Sequence, residues 1–219
     1  MSSADDRADK EPARRNRRNP EATRAAILAA ARVEFAASGL EGARVDKIAR
    51  RAQANKQLVY YYFGSKDELY TAALQAAYAD IRAHEQELDL RALPPREAME
   101  RLVDFSLAYL DEHRDFIRML SDENAHGARH LRDSDIAVRT NSPLLNLIAE
   151  TLERGVAAGE FRSGIDPLEL YVSIAGLTFF FFANGSTMSA IFDRDLSQRE
   201  AIASYRRHIV ALVVNGLRP

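Results

Sequence analysis

Apolar residues recur at helical spacing along most of the chain, and no segment alternates with the period of two that marks a strand. Ile27, Leu28, Ala31 and Phe35 form the first stripe. Asn19 stands where an N-cap is needed, Pro20 suits the first helical position, Glu21 favours the positive end of the helix dipole, and Gly39 ends the element. A second helix is predicted over about 45–52, turning Val45, Ile48, Ala49 and Ala52 inward, and a third runs from an Asn55 cap to about Tyr62. Ser65 and Glu68 have the spacing of a capping box and open a long helix to about His84. Pro94 and Pro95 break the chain before a helix carrying Leu102, Phe105 and Tyr109. Asp115 to Asn124 reads as a separate helix, and the polar stretch after Gly127 is left open. Leu144, Leu145, Ile148, Leu152 and Val156 give a further stripe, ended near Gly159. Asp166, Pro167 and Glu169 start the next helix. Ser197 and Glu200, spaced as a second capping box, start the last, with its stripe of Ile202, Tyr205, Ile209, Leu212 and Val213. The expectation is an all-α chain of about nine helices, divided near Ser65 into domains over 19–65 and 66–219. Residues 1–18 lack periodicity and cluster Arg14, Arg15, Arg17 and Arg18, so a disordered basic arm is expected there.

Composition narrows the chemistry. A hydrophobic content of 47% in 219 residues permits a sizeable core. The chain has no cysteine, which excludes disulfides, thiolate metal sites and Cys nucleophiles and suits a reducing compartment. Its polar start lacks the apolar core of a signal peptide. The longest apolar run, Ile174 to Ala183, is interrupted by Gly176 and Thr178 and has about half of the ~20 residues of a membrane span. A soluble cytoplasmic protein is expected. The net charge of −2 is unevenly spread: residues 1–66 carry 14 Lys/Arg against 8 Asp/Glu, and the remainder 16 against 24. A basic end on an acidic body fits nucleic acid at one end.

That basic end holds the most informative stretch, residues 43–69, two short helices with a tight break between them. A helix that reads the major groove needs apolar residues to seat it, polar side chains for base edges and phosphates, and an N-terminus near the backbone. Val59 and Phe63, four apart, supply the seat. Lys56, Gln57, Tyr60 and Tyr61 point away from it or flank it. Gln57 can pair with adenine, Leu58 can touch a thymine methyl, and Tyr60 and Tyr62 can donate to phosphate oxygens. Asn55 and Lys66 stand at helix starts, where backbone phosphates are within reach. Three successive tyrosines, Tyr60, Tyr61 and Tyr62, cannot all face one core.

From about Ala22 to Leu74 the chain resembles the N-terminal domain of TetR-type transcriptional regulators. The resemblance rests on Gly39, on Ile48-Ala49, on Asn55-Lys56, and on the run Tyr61-Tyr62-Phe63-Gly64-Ser65-Lys66-Asp67-Glu68-Leu69. Two positions depart from the family pattern. Arg44 stands where Thr usually opens the second helix, so a phosphate contact is expected from it in place of a cap. The turn reads Gln53-Ala54 where Gly-Val is common. The resemblance implies an N-terminal three-helix helix-turn-helix domain, a C-terminal helical ligand-binding and dimerisation domain, and a homodimer through the last two helices. Two reading helices would then face successive major grooves of a near-palindromic operator on double-stranded DNA.

Tyr171 to Ala183 is apolar nearly all round and must be covered on several sides. An effector pocket for a small molecule is expected among the middle helices, with Tyr109, Met119, Glu123, His126, Tyr171, Thr178 and Phe182 as candidates. Glu123, His126 and His130 have a spacing that can bind a metal on a helix face, but Gly127 interrupts them and no thiolate is available, so neither a metal nor a cofactor is assigned. The favoured function is a DNA-binding repressor released by its effector. An activator or ligand-dependent co-repressor fits the same residues. An all-α enzyme lacks a nucleophile–base set or a phosphate loop, and a helical adaptor with a basic end would bind without regard to DNA sequence.

Overall fold

The computed structural model describes residues 19–132 and 135–219, so the expected arm at 1–18 lies outside the described residues. Among the described residues the fold is entirely helical, with eleven helices. The head comprises α1 (Pro20–Gly42), α2 (Val45–Arg51) and α3 (Lys56–Phe63), and α4 (Lys66–Gln86) leads from it into the body. The body adds α5 (Pro95–Glu112), α6 (Arg114–Ala125), the short α7 (Arg129–Arg132), α8 (Asp135–Ala157), α9 (Pro167–Ala183), α10 (Gly185–Phe192) and α11 (Arg199–Gly216). The two beyond the expected nine are short: α7 fills the stretch left open, and α10 follows α9 across a sharp bend.

Local chemistry explains several helix starts. The Asn19 side chain accepts from the Glu21 amide, Ser65 Oγ from the Glu68 amide, and Asp166 from the amides of Leu168 and Glu169. Such caps each contribute about 1 kcal/mol. The reverse arm of the Ser65 box does not form, because the Ser65 amide donates to the Phe63 carbonyl. The second expected box also fails. Asp195 captures the Ser197 hydroxyl at 2.6 Å and its amide at 2.9 Å, and α11 instead starts after Gln198 without a side-chain cap. Gly39 takes φ +65° and ψ 177°, a conformation open almost only to glycine, and there it kinks α1.

One apolar core joins the head to the body. Ile27, Phe35, Ile48, Val59, Phe63 and Leu69 are buried together, and Met119 of α6 inserts among them. The head core therefore runs past Ser65 as far as Leu74. A second core lies among α5, α8, α9 and α11 around Leu102, Leu107, Ile148, Ile174 and Ile209. The uniformly apolar α9 buries Leu170, Ile174, Thr178 and Phe181 but leaves Val172 and Phe180 more than half exposed, and Leu212 of α11 is half exposed too. Among the described residues no single helix is long and apolar enough to cross a membrane, and α9 and α10 are bent by 68° at their junction.

Candidate functional site

The helix α3 is seated by Val59 and Phe63, 1% and 7% exposed. Its start is held by Asn55, whose Oδ1 accepts from the Leu58 amide at 2.8 Å. The preceding turn is closed by the Ala54 amide donating to the Ala49 carbonyl, with Gln53 in the left-handed region at φ +51°. An L side chain at that angle costs about 1–2 kcal/mol, and one such residue is tolerated within a well-packed turn. Gly64, at φ +75°, ends α3 and turns the chain into α4; a Cβ there would overlap the Glu68 carboxylate.

None of the nine proposed DNA contacts is buried. Arg44, Asn55, Lys56, Gln57, Tyr60 and Tyr61 are exposed, and Leu58, Tyr62 and Lys66 are half-buried. Gln57, Tyr60 and Tyr61 share one helical face at i, i+3 and i+4, with Tyr61 81% exposed. Tyr62 meets Tyr61 edge-on, the ring centres 5.3 Å apart. Lys56 pairs with Asp46 at 3.2 Å, and Lys66 Nζ donates to the Glu41 carbonyl at 3.3 Å. Arg44 opens α2 without a side-chain cap, and its amide donates to Glu34 Oε1.

Behind this face, a polar cluster fastens the head to α6 and α7. Asp122 Oδ2 accepts from the Leu40 amide at 2.9 Å, directly after the Gly39 kink, and from the Tyr70 hydroxyl at 3.2 Å. The Met119 carbonyl lies at the same 3.2 Å and shares the single Tyr70 proton with Asp122, and burial together with Asp122 and Glu123 pushes the hydroxyl far above its ordinary value. Glu123, 1% exposed, contacts His130 Nδ1 at 2.8 Å and accepts from the His130 and Leu131 amides. Glu123 and His130 meet because Gly127 and Ala128, both at positive φ, break the helix between them. His126 is exposed, its Nδ1 against the Asp122 carbonyl. Among the described residues no group of three or more His, Cys, Asp or Glu is arranged to hold a metal ion.

A cavity of about 330 Å³ lies in the body between α4, α5, α6 and α9. Four aromatic rings stand among aliphatic side chains in its wall: Tyr78 meets Phe116 edge-on at 5.3 Å, and Tyr171 and Phe179 enter from α9. Two charged residues of α4, Arg82 and Glu85, also contribute to the wall. They are 7% and 5% exposed and pair at 2.5 Å. Burial outweighs Arg82 and pushes the Glu85 carboxyl up to about 7. Of the seven effector candidates, Tyr171 and Thr178 line this cavity, and the Thr178 hydroxyl is already committed to the Ile174 carbonyl. The other five do not line it. Tyr109 donates to Asp80 at 2.7 Å and stacks on His113, Met119 belongs to the head core, and Glu123 and His126 sit in the α6–α7 cluster. Phe182 lies under the Arg114 guanidinium at 3.9 Å. Sequence reading missed Arg82 and Glu85; the signal was an Arg and a Glu three apart on a helix beside Ile81, a pattern shared with any solvated face.

A short capped helix with an exposed polar face, on a three-helix head continuous with a cavity-bearing helical body, is the arrangement of a helix-turn-helix DNA-binding protein. Residues 27–73 match the family model described as bacterial regulatory proteins, tetR family, and residues 95–213 match the tetracyclin repressor-like C-terminal domain. The HTH-type transcriptional repressor NicS of Pseudomonas putida is 34% identical over 196 residues, covering 90% of this chain and 92% of that protein. The HTH-type transcriptional repressor SCO4008 of Streptomyces coelicolor is 41% identical over 105 residues, 47% of this chain and 50% of that one. The ketosteroid transcriptional regulator KstR2 of Mycobacterium tuberculosis shares the fold, with a TM-score of 0.63 at 23% identity over 90% of this chain and 95% of that chain. The chain belongs to the TetR family of transcriptional regulators, which bind DNA and small-molecule effectors, typically as dimers, and are not enzymes.

Proposed function

We propose that this protein is a dimeric repressor that holds a near-palindromic operator and lets it go when a small molecule fills the cavity between α4 and α9. The observation that carries the reading is the continuity of α4. Its first residue follows the turn that ends α3, and its later turns supply Tyr78, Arg82 and Glu85 to the cavity wall. A ligand that prefers one tilt of α4 thereby prefers one position of the reading helix, and couplings of this kind are typically about 1–3 kcal/mol. The exposed apolar residues Val172, Phe180 and Leu212 on α9 and α11 support dimerisation through those helices. Two α3 helices related by a two-fold axis would lie about 34–36 Å apart, one turn of the duplex. Gln57, Tyr60 and Tyr61 would face bases and phosphates, with Arg44, Asn55, Lys56, Leu58, Tyr62 and Lys66 around them. The site of action is then the DNA of the cytoplasm.

The test begins with selection of bound sequences from random DNA, followed by gel shifts and sizing chromatography on variants. Tyr60→Ala and Lys66→Ala are expected to weaken operator binding and leave the dimer intact, whereas Leu212→Glu is expected to break the dimer and lose the operator. Unchanged binding in the first two variants overturns the assigned reading face; a monomer that binds one half-site as tightly as the wild type binds the whole overturns the two-fold arrangement.

A further inference from the structure

Arg82 and Glu85 stand in the wall of the α4–α9 cavity as a buried ion pair whose hydrogen bonding is incomplete. Arg82 Nη1 donates to Glu85 Oε2, and Nη2 donates to the Tyr171 hydroxyl at a long 3.4 Å. Its Nε has no acceptor among the described residues. A buried charged donor without an acceptor is costly, and burying an ion pair in an apolar wall rarely stabilises a fold by itself. The guanidinium fork is matched in shape to a carboxylate, and low local polarity strengthens that match. Around it the wall is largely apolar, with the rings of Tyr78, Phe116, Tyr171 and Phe179 set among aliphatic side chains such as Leu110 and Ile174, and the volume is at the small end for a ligand pocket.

We propose that the effector is a small aromatic monocarboxylate, its carboxylate on Arg82 and its ring against the aromatic side chains of the wall, and that Glu85 takes up a proton from solvent as the acid binds. The inference rests on reading this cavity as the effector site. A second carboxylate beside Arg82 competes with Glu85 for the same cation, and two close carboxylates do not both stay ionised. Burial already holds the Glu85 carboxyl near neutrality, so it is the group that yields. Among the described residues, the titratable and charged groups around Glu85 are Arg82 and Tyr78 on its own helix, Tyr171 on α9, and Asp89, Arg91 and Glu150 on the outer side of the pair. Arg91 and Glu150 satisfy one another at 2.7 Å, and burial pushes the Tyr78 hydroxyl up to about 12, which leaves Glu85 as the proton acceptor.

The experiment uses the full chain, with benzoate, phenylacetate, 1-naphthoate and 2-naphthoate as probes and their primary amides as neutral counterparts of the same shape. Calorimetry in two buffers of different ionisation enthalpy reads affinity and proton uptake together. At least one acid is expected to bind about tenfold or more tighter than its amide, with protons taken up near pH 7.5. Uptake is expected to vanish in Glu85→Gln, and the acid–amide difference in the double variant Arg82→Gln/Glu85→Gln, which leaves no unpaired buried charge. Amides that bind as well as acids, or no probe of either kind binding, overturn the proposal; so does acid binding without proton uptake. Gel shifts on the selected operator run in parallel. Operator binding with no response to acids sinks the acid alone, whereas no sequence-specific DNA binding sinks the regulator reading on which it rests.

Discussion

The contact between Asp122 and the end of α1 gives a prediction whose size can be worked out. Asp122 Oδ2 is the acceptor for the Leu40 amide, and Leu40 is 2% exposed, so water does not replace it readily. Asp122→Ala leaves that amide without a partner, at a cost of about 1–3 kcal/mol. It also removes the charged acceptor of the Tyr70 hydroxyl, which keeps the Met119 carbonyl and so loses less. A total near 2–3 kcal/mol follows, and for a chain of this length each kcal/mol lowers Tm by about 2–4 °C. The expected fall in Tm is therefore about 4–12 °C. Asp122→Asn retains an oxygen for Leu40, and the Tyr70 hydroxyl can turn to suit the amide, so its loss is expected at about 1 kcal/mol or less. Thermal unfolding at one fixed protein concentration compares the three proteins, which removes any mass-action shift from dimerisation. Hydrogen exchange at the Leu40 amide should quicken in the Ala variant and stay close to wild type in the Asn variant. Equal melting of wild type and Asp122→Ala, or an Asn variant as damaged as the Ala one, would refute the reasoning.

Two further outcomes are expected. Replacing a helical glycine by alanine ordinarily stabilises by about 1 kcal/mol, but a Cβ at Gly155 of α8 would collide with the Phe161 ring. Gly155→Ala should therefore lower Tm, with an overpacking cost of about 1–3 kcal/mol exceeding the propensity gain, and a raised Tm counts against the packing described. The second concerns pH. Burial raises the folded-state pKa of Glu85 from 4.5 to about 7, so between these values the folded chain holds a proton the unfolded chain has lost. Its contribution to stability falls as pH rises through that window and is flat on either side. Urea unfolding at pH 5, 6, 7 and 8 should show Glu85→Gln gaining on the wild type up to about pH 7, and a constant difference between the two would contradict the assignment.

How much of this was legible from the chain depends on the range of the interaction. The Asn19, Asn55, Ser65 and Asp166 starts could be read because each cap forms between residues two or three apart. Ser197 failed on the same scale because Asp195, two residues back, competes for its hydroxyl. Helical geometry alone requires that at least one of Tyr60, Tyr61 and Tyr62 be exposed, and Tyr60 and Tyr61 are. The cavity was harder. Arg82 meets Tyr171 across 89 residues of sequence, and neither residue signals the other. Glu123, His126 and His130 have the spacing of a metal face on a continuous helix, but the reversal at Gly127 and Ala128 converts Glu123 and His130 into a fastening of α7 and leaves His126 outside. Tertiary geometry decided these residues, and a one-dimensional pattern does not hold it.

One consequence of the unbroken α4 is mechanical gain. From Lys66 to Arg82 its axis measures about 24 Å at 1.5 Å per residue. A pivot of only 5° about the Arg82 end sweeps the other end through about 2 Å, and a symmetric pair doubles this to about 4 Å, more than the 3.4 Å between stacked base pairs. In the proposed dimer, an effector that tilts α4 by those few degrees would put the pair of heads out of step with the duplex.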